Sequence, residues 1–503
     1  MLGRKSLLVF LGSTISSALG FICLFFITNY VGVDKYGTVI LMTSILTTIN
    51  VIADLGFSSA HIKRISEGQD VDDCVSTFVL IKINLTCLFV IASFLALFIW
   101  MAALGRTITD VSRDVFLVML LFEVFVNLSN IAVITFQGRS EVAKVQFLQI
   151  LNPLVRLPLV VLIAFAGSSA VLLAVTYMLG AMAMMIASFL MIKRARFRWK
   201  RPTLFRSYLT FTVPIIVVTI VSTLYLNIDK IIIGLAIDNV HVGYYSTVQT
   251  FLGVIAAIGT AVSVLTFPNF SYLFGQGRVS EVREKALAAE RYISMVSLPL
   301  VIVLVMFPSE VLSTLFGPDL AEGGDALRFL AIGTYIVMIN QPYSSQLLAA
   351  NRPDILAKST IIGFAIGTGL FLLLIPKELY GISTMGMGLA GAGIAIIMSN
   401  LGQTLIVRSA AKGLSGLALN MRMSLQFLTA IFIGILSHVV FFLMDIEPFL
   451  SIRLFFVVLG IPVLFYTLLI IFNEVSKEDI KYFKELINIK KMVQYIINEA
   501  RNK

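Results

Sequence analysis

The chain is 503 residues long, 58% of its residues are hydrophobic, 13% are charged, and its mean hydropathy is +0.96. About a quarter of the residues of a soluble domain are charged, so this composition excludes a soluble globular protein and indicates an integral membrane protein. The net charge of +10 would by itself also fit a nucleic-acid-binding protein, but the positions of the basic residues exclude that class.

Fourteen apolar segments follow one another along the chain, and each is long enough for a transmembrane helix of about 20 residues. They begin near residues 6, 37, 75, 114, 142, 169, 208, 241, 290, 326, 354, 383, 423 and 451. The first follows MLGRK and lacks a small-residue cleavage site, so we interpret it as a retained helix and not as a signal peptide. An even number of spans places both termini on one side of the membrane.

Lysine and arginine alternate between the two sides of these predicted helices. The even-numbered loops and the termini hold 29 of the 38 basic residues, whereas the odd-numbered loops hold six. Cytoplasmic loops of membrane proteins are enriched in lysine and arginine. We therefore predict a multi-pass protein of the plasma membrane, with both termini in the cytoplasm, lipids around it and no nucleic-acid partner.

Two pairs of similar segments indicate an internal repeat. VGVDKYGTV at 31–39 resembles AIDNVHVGYYSTV at 236–248, and FQGRSEVAK at 136–144 resembles AANRPDILAK at 349–358. Both pairs keep the same helix order and the same side of the membrane, and Gly37 is matched with Gly243. A parallel repeat of this kind is typical of alternating-access transporters with two lobes.

These features predict an all-α fold of 14 transmembrane helices, with two six-helix lobes followed by two extra helices. The most basic loop, KRARFRWKRP at 193–202, lies between helices six and seven. The predicted units are an N-lobe at 1–192, a basic linker at 193–207, a C-lobe at 208–410, the extra helices at 411–475 and a tail at 476–503. The tail begins with a capping box, Ser476 and Asp479, and has apolar residues along one face, which favours a basic amphipathic helix on the cytoplasmic leaflet over a solvated one.

Charged residues inside the predicted spans are few. A charge at the bilayer centre costs about 2.5–3.5 kcal/mol on insertion scales, so such residues usually face the protein interior. Four lie well inside the spans: Glu123, Arg156, Asp229 and Lys230. Lys82 is close enough to the cytoplasmic end of helix three for its ammonium group to reach the membrane surface.

Glu123 and Arg156 have the same predicted depth, because both lie about 20 Å from the turn between helices four and five. An ion pair between them is therefore feasible. Asn127 follows Glu123 on one helical face, and helix ten is polar around Asn340 and Gln341. These polar residues predict a water-accessible cavity between the lobes, in which they contact a substrate or a coupling ion. The alternative is a structural ion pair with amides that hold the helices together.

Asp229 and Lys230 are adjacent in the sequence, within LNIDKIIIGL. Consecutive helical residues point about 100° apart, so we expect these two side chains not to face each other. Asp229 is too short to reach the membrane surface and is predicted to face inward. Lys230 either joins the cavity or reaches the outer surface.

The sequence indicates no catalytic or metal site. Cys23, Cys74 and Cys87 form no CxxC motif, and the three histidines are too scattered to complete a metal site. GMGLAG at 386–391 matches GxGxxG, but no strand precedes it, so close helix packing explains it better than a dinucleotide site. We predict a transporter without a cofactor, not an enzyme.

Several segments resemble the Wzx-type polysaccharide flippases of the multidrug/oligosaccharidyl-lipid/polysaccharide exporter superfamily. The similar segments are FLGSTISSALGFICLFFITNYVGVDKYGTV, IADLGFSSAHIKRISEG at 52–68, and NIDKIIIGLAIDNVHVGYYSTVQTF at 227–251. The resemblance extends over nearly the whole chain and includes the helix number.

The resemblance implies export of undecaprenyl- or dolichyl-pyrophosphate-linked oligosaccharides from the cytoplasmic to the outer leaflet, by two lobes that rock around a central cavity. Arg156 and Lys230 would then bind the anionic head group, since arginine suits phosphate geometry. Glu123 and Asp229 would pair with these cations or bind a coupling H⁺ or Na⁺. Other glycan-assembly membrane proteins are the expected protein partners.

Four alternatives stay open. A multidrug antiporter of the same superfamily would usually have twelve helices and an acidic residue in helix one, whereas none occurs here between Lys5 and Asp34. The lipid II flippase branch would have arginine in helix one, which is also absent. A glycan-assembly enzyme would need a large outer domain or clustered catalytic acids, and a scaffold would need no charges inside the membrane.

Overall fold

The computed structural model describes residues 2–103, 109–167, 169–194, 197–379, 381–416, 421–444 and 450–475. The predicted tail helix at 476–503 lies outside these residues. The first half of the chain contains α1 (Leu2–Phe26), α2 (Val33–Ile49), α3 (Phe57–Ser66), α4 (Val71–Ala103), α5 (Asp110–Gly138), α6 (Val142–Ala166) and α7 (Ala170–Arg194). A π-helix, Ile27–Val31, follows α1, and a 3₁₀-helix, Asn50–Ala53, follows α2.

The second half begins with α8 (Phe205–Tyr225), α9 (Ile228–Ala236), α10 (Asn239–Gly275), α11 (Val279–Met306) and α12 (Pro308–Phe316). It continues through a 3₁₀-helix, Pro318–Gly323, to α13 (Gly324–Ala349), α14 (Pro353–Leu374) and α15 (Gly388–Ser415). Between α14 and α15 lies a two-stranded antiparallel hairpin of β1 (Glu378–Leu379) and β2 (Ile382–Ser383). The last helices are α16 (Met421–Met444) and α17 (Leu450–Ile471).

The described residues form an all-α membrane protein, as predicted. Eleven of their helices are long and apolar enough to cross a membrane, or twelve if α8, which is bent by 62° between Val213 and Ile215, counts as one span. The predicted number of 14 is not reached by this criterion. In chain order α13 and α17 stand where helices ten and fourteen were expected, and neither is among the eleven.

Two pairs of turns, one turn of each pair in each half, have similar backbones. Ser140, after α5, and Asn351, after α13, both have φ of 57°. In each turn the next amide donates to the carbonyl five residues earlier, at 2.8 Å. The turns before α4 and α11 contain Gly68 and Gly277, with φ of 83° and 71°. This left-handed residue with a backward hydrogen bond is the usual way to end a helix tightly.

The two halves meet at the face where α1 ends and α2 begins, which we call the far face. There the repeat-related Gly37 and Gly243 bring α2 and α10 together. A Cβ atom on Gly37 would lie 1.7 Å from the Asn239 carbonyl oxygen, and one on Gly243 would lie 2.3 Å from the Val33 carbonyl oxygen. Asn239 Nδ2 also donates to Thr38 Oγ1 at 3.1 Å. Only glycine allows this approach of two backbones, and we call it the glycine contact.

Aromatic packing continues the contact between the halves. Phe21 of α1 lies 6.3 Å from Phe251 of α10 and 5.8 Å from Phe316 of α12, as measured between ring centroids. Phe251 and Phe316 are 5.7 Å apart with steeply inclined rings. Rings at these distances and angles attract each other beyond simple area burial. The apolar core is therefore shared by both halves on the far side.

The linker between the halves is attached to the start of α4. Lys200 Nζ lies 2.6 Å from Asp70 Oδ2, and the Lys200 amide donates to Ser76 Oγ at 3.0 Å. The Thr203 amide donates to Asp73 Oδ1 at 3.1 Å. The Lys200 ammonium lowers the pKa of Asp70 through their hydrogen bond, and the same bond raises the pKa of Lys200. The described linker residues therefore belong structurally to the first half, up to α8.

Candidate functional site

The second membrane segment of the first half is discontinuous. After α2 the chain passes through the 3₁₀-helix Asn50–Ala53, and α3 starts only at Phe57. Leu55 has φ of 46° and Gly56 has φ of 94°. Leucine rarely adopts a left-handed backbone, so other contacts must hold it there. Broken helices inside membrane transporters expose backbone carbonyls and side chains that bind ligands or ions.

Glu123 of α5 lies beside this break. Its carboxylate accepts hydrogen bonds from Thr47 Oγ1 and Asn50 Nδ2, each at 2.9 Å. Asn127, one turn further along α5, donates to Asn50 Oδ1 at 2.6 Å. Glu123 is only 5% exposed and Asn127 only 2%. The structure therefore brings two of the predicted site residues, Glu123 and Asn127, into one hydrogen-bonded network. Both residues that donate to the Glu123 carboxylate, Thr47 and Asn50, are neutral.

Lys82 of α4 also reaches the break. Its ammonium group lies 2.9 Å from Asp54 Oδ1 and donates to the Ala53 carbonyl at 2.9 Å. Its side chain is 1% exposed, whereas that of Asp54 is 32% exposed. The prediction that Lys82 extends to the membrane surface is wrong, because the broken helix gives it a carboxylate and a free carbonyl inside the protein.

The feasible ion pair between Arg156 of α6 and Glu123 is not formed, because Glu123 accepts from Thr47 and Asn50 and Arg156 packs against Tyr177. The guanidinium carbon lies 4.2 Å from the centre of the Tyr177 ring, a cation–π arrangement. Cys23 and Tyr36 are its other close neighbours. Within the described part of the chain Arg156 forms no ion pair, and its Nε, although buried, has no hydrogen-bond partner. A buried cation without a carboxylate is unusual, because burial of an unpaired charge is costly.

Asp229 and Lys230 lie at a second break, between α8 and α9. Asp229 is 2% exposed and accepts from Tyr245 Oη at 2.9 Å and from Gln249 Nε2 at 2.8 Å. Lys230 Nζ lies 3.4 Å from Asp229 Oδ1 and donates to the Leu226 carbonyl at 2.9 Å. The expectation that these two side chains do not face each other is wrong. It assumed one continuous helix, whereas Asp229 is in the first turn of α9, where a carboxylate is favoured by the helix dipole.

Asn340 and Gln341 of α13 were predicted to line the same cavity as Asn127. Asn340 is 9% exposed, and its Oδ1 has no hydrogen-bond partner. Gln341 is partly buried. No described hydrogen bond joins either residue to Glu123, Arg156 or Asp229. Further along the helix, Gln346 is fully buried, and both ends of its amide lack partners. Polar side chains of α13 are therefore buried inside the protein, and some of their hydrogen-bonding groups have no partner among the described residues.

A buried cluster in the second half was not predicted from the sequence. Glu290 of α11 is 1% exposed, and it pairs with Arg408 of α15 and accepts from the Tyr343 hydroxyl. Arg408 also lies 4.7 Å from the centre of the Tyr343 ring. Glu290 was assigned to a loop because helix nine was predicted to begin near residue 290, but α11 begins at Val279. The amphipathic pattern of 279–290, with apolar residues at 282, 286 and 289, was the signal that could have extended the helix.

His61 and two of the three cysteines lie buried in the protein. His61 is buried between Tyr208 Oη, 2.8 Å from Nδ1, and Thr135 Oγ1, 2.9 Å from Nε2. Cys23 and Cys74 are buried, and Cys87 is exposed on α4. Among the described residues, no group of three or more His, Cys, Asp or Glu side chains could hold a metal ion.

Comparison with protein families gives two matches. Residues 2–274 match the polysaccharide biosynthesis protein family, and residues 214–373 match the MatE family. Among curated proteins, the probable low-salt glycan biosynthesis flippase Agl15 of Haloferax volcanii is 21% identical over 79% of this chain and 81% of its own length. The probable flippase AglR of the same organism is 26% identical over 44% of each chain.

Comparison with solved structures shows the same fold. The lipid II flippase MurJ in its inward closed conformation has a TM-score of 0.72 at 13% identity, covering 91% of this chain and 97% of MurJ. An inward-facing multidrug resistance MATE family transporter of the MOP superfamily has a TM-score of 0.62 at 14% identity, covering 80% and 96%. The family match spans more than half of the sequence, and together with the shared fold it confirms the resemblance noted from the sequence. The chain therefore belongs to the polysaccharide biosynthesis protein family, within the multidrug/oligosaccharidyl-lipid/polysaccharide exporter superfamily.

Proposed function

We propose that this protein is a flippase that moves a prenyl-pyrophosphate-linked oligosaccharide from the cytoplasmic to the outer leaflet by alternating access. The relatives named as glycan biosynthesis flippases support this activity. In this proposal the far face is the outer face, both termini are cytoplasmic, and the protein acts as a transporter in cell-surface glycan assembly, beside other membrane proteins of that process.

The observation that carries the substrate class most directly is Arg156. Its guanidinium is buried against Tyr177 and has no ion-pair partner among the described residues. Tyr36, which lies beside Arg156, reaches Thr250 of the second half. Arg156 is therefore one side chain away from the boundary between the halves. A pyrophosphate that enters along this boundary would supply the missing anion, with bidentate hydrogen bonds that suit guanidinium.

Alternating access is supported by the glycine contact. It closes the far face through two repeat-related residues, so the same small surface can separate when the halves rock apart. Solved MATE family transporters with this fold include both an inward-facing and an outward-facing conformation, which is consistent with a fold that changes its access. We propose that the glycine contact is the outer gate of the transport cycle.

Glu123 and Asp229 are the proposed coupling residues. Each is a buried carboxylate at a helix break, held by hydroxyl and amide donors. Protonation or Na⁺ binding at such a site would change these hydrogen bonds and could shift the two halves relative to each other. Lys230 neutralises Asp229 in this structure, so it contributes to the coupling site and not to a separate head-group site.

The proposed layout keeps 14 spans. In it α13 and α17 cross the membrane in addition to the twelve segments that satisfy the length and hydropathy criterion. α13 falls short because it is polar at 340–346, which is expected of a helix that lines an internal pathway and is shielded from lipid.

A leaflet-accessibility assay in proteoliposomes tests the function. The probe is a fluorescent undecaprenyl-pyrophosphate oligosaccharide, and the variants are Arg156→Ala and Arg156→Lys. We expect the wild type to move the probe, Arg156→Ala to lose at least about tenfold in rate, and Arg156→Lys to keep part of it. A folded Arg156→Ala protein that moves the probe at the wild-type rate would contradict the head-group role.

The antiporter alternative rests on the MatE match in the second half, and the same proteoliposomes test it. A wild-type protein that leaves the lipid in place but exports a cationic dye against a proton gradient would replace the flippase proposal.

A further inference from the structure

A cavity of about 710 Å³ opens at the far face of the second half. Four segments form it: 236–241 at the turn between α9 and α10, 322–325 at the start of α13, 375–378 after α14, and 386–390 at the start of α15. Its volume lies within the range of about 300–1,000 Å³ that is typical of small-molecule sites.

One wall of the cavity is held by backbone hydrogen bonds. The amides of Met385 and Met387 donate to the carbonyls of Leu373 and Leu374 at 3.1 and 2.7 Å. Gly386 has φ of 61°, and a Cβ atom there would lie 2.9 Å from Lys377 Cγ. The wall is therefore preformed, and a ligand that binds there need not first order it.

The lining presents hydrogen-bond acceptors in excess of cations. Glu322 and Glu378 line the cavity and form no ion pair within the described part of the chain, although Glu322 accepts from the Tyr244 hydroxyl at 3.4 Å. Asp325 also lines it and is paired with Arg328 at 3.3 Å. Lys377 is the lysine of the lining. His241 also lines the cavity, and its Nδ1 lies 2.8 Å from Oδ1 of Asp238, which is not a lining residue. A ligand with several hydroxyl or ammonium donors fits this arrangement.

A metal ion does not fit it. Metal sites need three or more ligands that converge, and no such group of His, Cys, Asp or Glu exists among the described residues. The separated carboxylates suit an extended polyhydroxyl ligand, which can meet each acceptor at a different point.

The cavity adjoins the contact between the halves. Ile237 and His241 line it, and Asn239, between them in the same turn, touches Gly37 and donates to Thr38. A molecule that leaves between the separating halves would therefore pass directly beside the cavity.

We propose that this cavity binds the sugar part of the exported oligosaccharide at the outer face, and that it selects neutral or amino sugars over acidic ones. The inference rests on the proposed flippase function and adds a substrate class to it. Uronic or sialic acid residues would meet Glu322 and Glu378 without a matching cation for each, whereas hydroxyl and ammonium groups would donate to them.

The experiment titrates the full-length protein in lipid nanodiscs with three soluble probes: maltotetraose, chitosan tetrasaccharide and tetragalacturonate. Binding is measured by calorimetry. We expect at least one of the first two to bind about tenfold more tightly than tetragalacturonate, and the double variant Glu322→Gln/Glu378→Gln to lose both the tighter binding and the discrimination. Asp110→Asn, at an exposed far-face carboxylate of the first half, is the matched control and should bind as the wild type does.

Three results would overturn the proposal: no binding of either neutral or amino probe at about 10 mM, tighter binding of tetragalacturonate, or unchanged binding in the double variant. Lipid transport by the wild type, measured on the same preparation, separates this inference from the proposed function. Lipid transport without binding of any sugar probe would remove this inference alone, whereas sugar binding without any wild-type lipid transport would remove the flippase proposal alone.

Discussion

The two halves place their helix breaks at different positions. In the first half, the second membrane segment is interrupted between α2 and α3, whereas the equivalent α10 is one continuous helix from Asn239 to Gly275. In the second half, the first membrane segment is interrupted between α8 and α9, whereas α1 continues through a π-helix to Val31. The turns at the α5–α6 and α13–α14 connections have the same hydrogen bond, so the halves are alike at these turns and differ at the breaks.

Each break holds its own set of charged residues. The break after α2 receives Lys82 and lies beside Glu123, and the break after α8 provides Asp229 and Lys230. The third membrane segments also differ, since α4 has a buried lysine and α11 has a buried glutamate. The two halves therefore share similar turns and the glycine contact, while each half keeps its own buried charge sites.

The buried ion pair at the first break gives the largest expected effect on stability. Asp54→Ala leaves the Lys82 ammonium buried with only the Ala53 carbonyl as hydrogen-bond acceptor, and we expect a loss of about 3–5 kcal/mol. Lys82→Met leaves only the partly exposed Asp54 carboxylate, and we expect a change within about 1 kcal/mol. Thermal unfolding in detergent measures both. Equal losses for the two variants would show that burial of Lys82 does not dominate this site.

Disruption of the glycine contact is expected to have the second-largest effect. Gly37→Val places a side chain against the Asn239 carbonyl, so closure of the far face should become less favourable by about 1–3 kcal/mol and flipping should slow by about tenfold. Gly253→Ala on α10 is the matched control, because a Cβ atom added to Gly253 would have nothing within 4 Å. Flipping by Gly37→Val at the wild-type rate would mean that the contact need not form during transport.

The two buried carboxylates, Asp229 and Glu123, should contribute differently to the free energy of unfolding. Asp229→Asn weakens bonds from Tyr245, Gln249 and Lys230, so we expect a loss of about 1.5–3 kcal/mol. Glu123→Gln keeps one acceptor oxygen for Thr47 or Asn50, so we expect about 0.5–1.5 kcal/mol. Unfolding and flipping are measured on the same samples. A Glu123→Gln protein that is stable but has lost the dependence of flipping on a proton or Na⁺ gradient would support coupling at Glu123, and an unchanged dependence would contradict it.

The linker contact gives the smallest effect, because both Asp70 and Lys200 are exposed. The pKa of Asp70 is lowered in the folded protein, so its contribution is present above its ordinary pKa and is lost as pH falls through the lowered value. The pKa of Lys200 is raised, so its contribution is lost as pH rises through that raised value. Asp70→Asn should therefore alter stability slightly and equally across neutral pH, and less at high salt. A strong change between pH 6 and pH 8 would contradict this account.

Much of the fold could be predicted from the lengths of the apolar segments in the sequence. Segment starts at 142, 354 and 423 lie within two residues of α6, α14 and α16, because about 20 apolar residues leave little choice but a helix. The repeat was also visible, since Gly37 and Gly243 are matched in sequence and in space. α11 was placed too late because its first eleven residues are amphipathic and charged, and a hydropathy window does not detect such a segment.

The site was harder to predict, because it depends on where helices stop. Matching depth made Glu123 and Arg156 candidates for a pair, but depth does not fix which way a side chain points around its helix. The structure turns Glu123 toward Asn50 and Arg156 toward Tyr177. The breaks at 50–56 and at 227 contain no proline, so the polar residues around them were interpreted as parts of continuous helices.

The most direct test of the account is a reversible lock across the glycine contact. Thr38→Cys and Asn239→Cys are introduced together, because Nδ2 of Asn239 and Oγ1 of Thr38 are 3.1 Å apart. Each single variant serves as a control. The account predicts that oxidation of the double variant stops flipping of the lipid-linked oligosaccharide and that reduction restores it, with the single variants unaffected. Undiminished flipping with the disulfide fully formed would contradict alternating access through this gate.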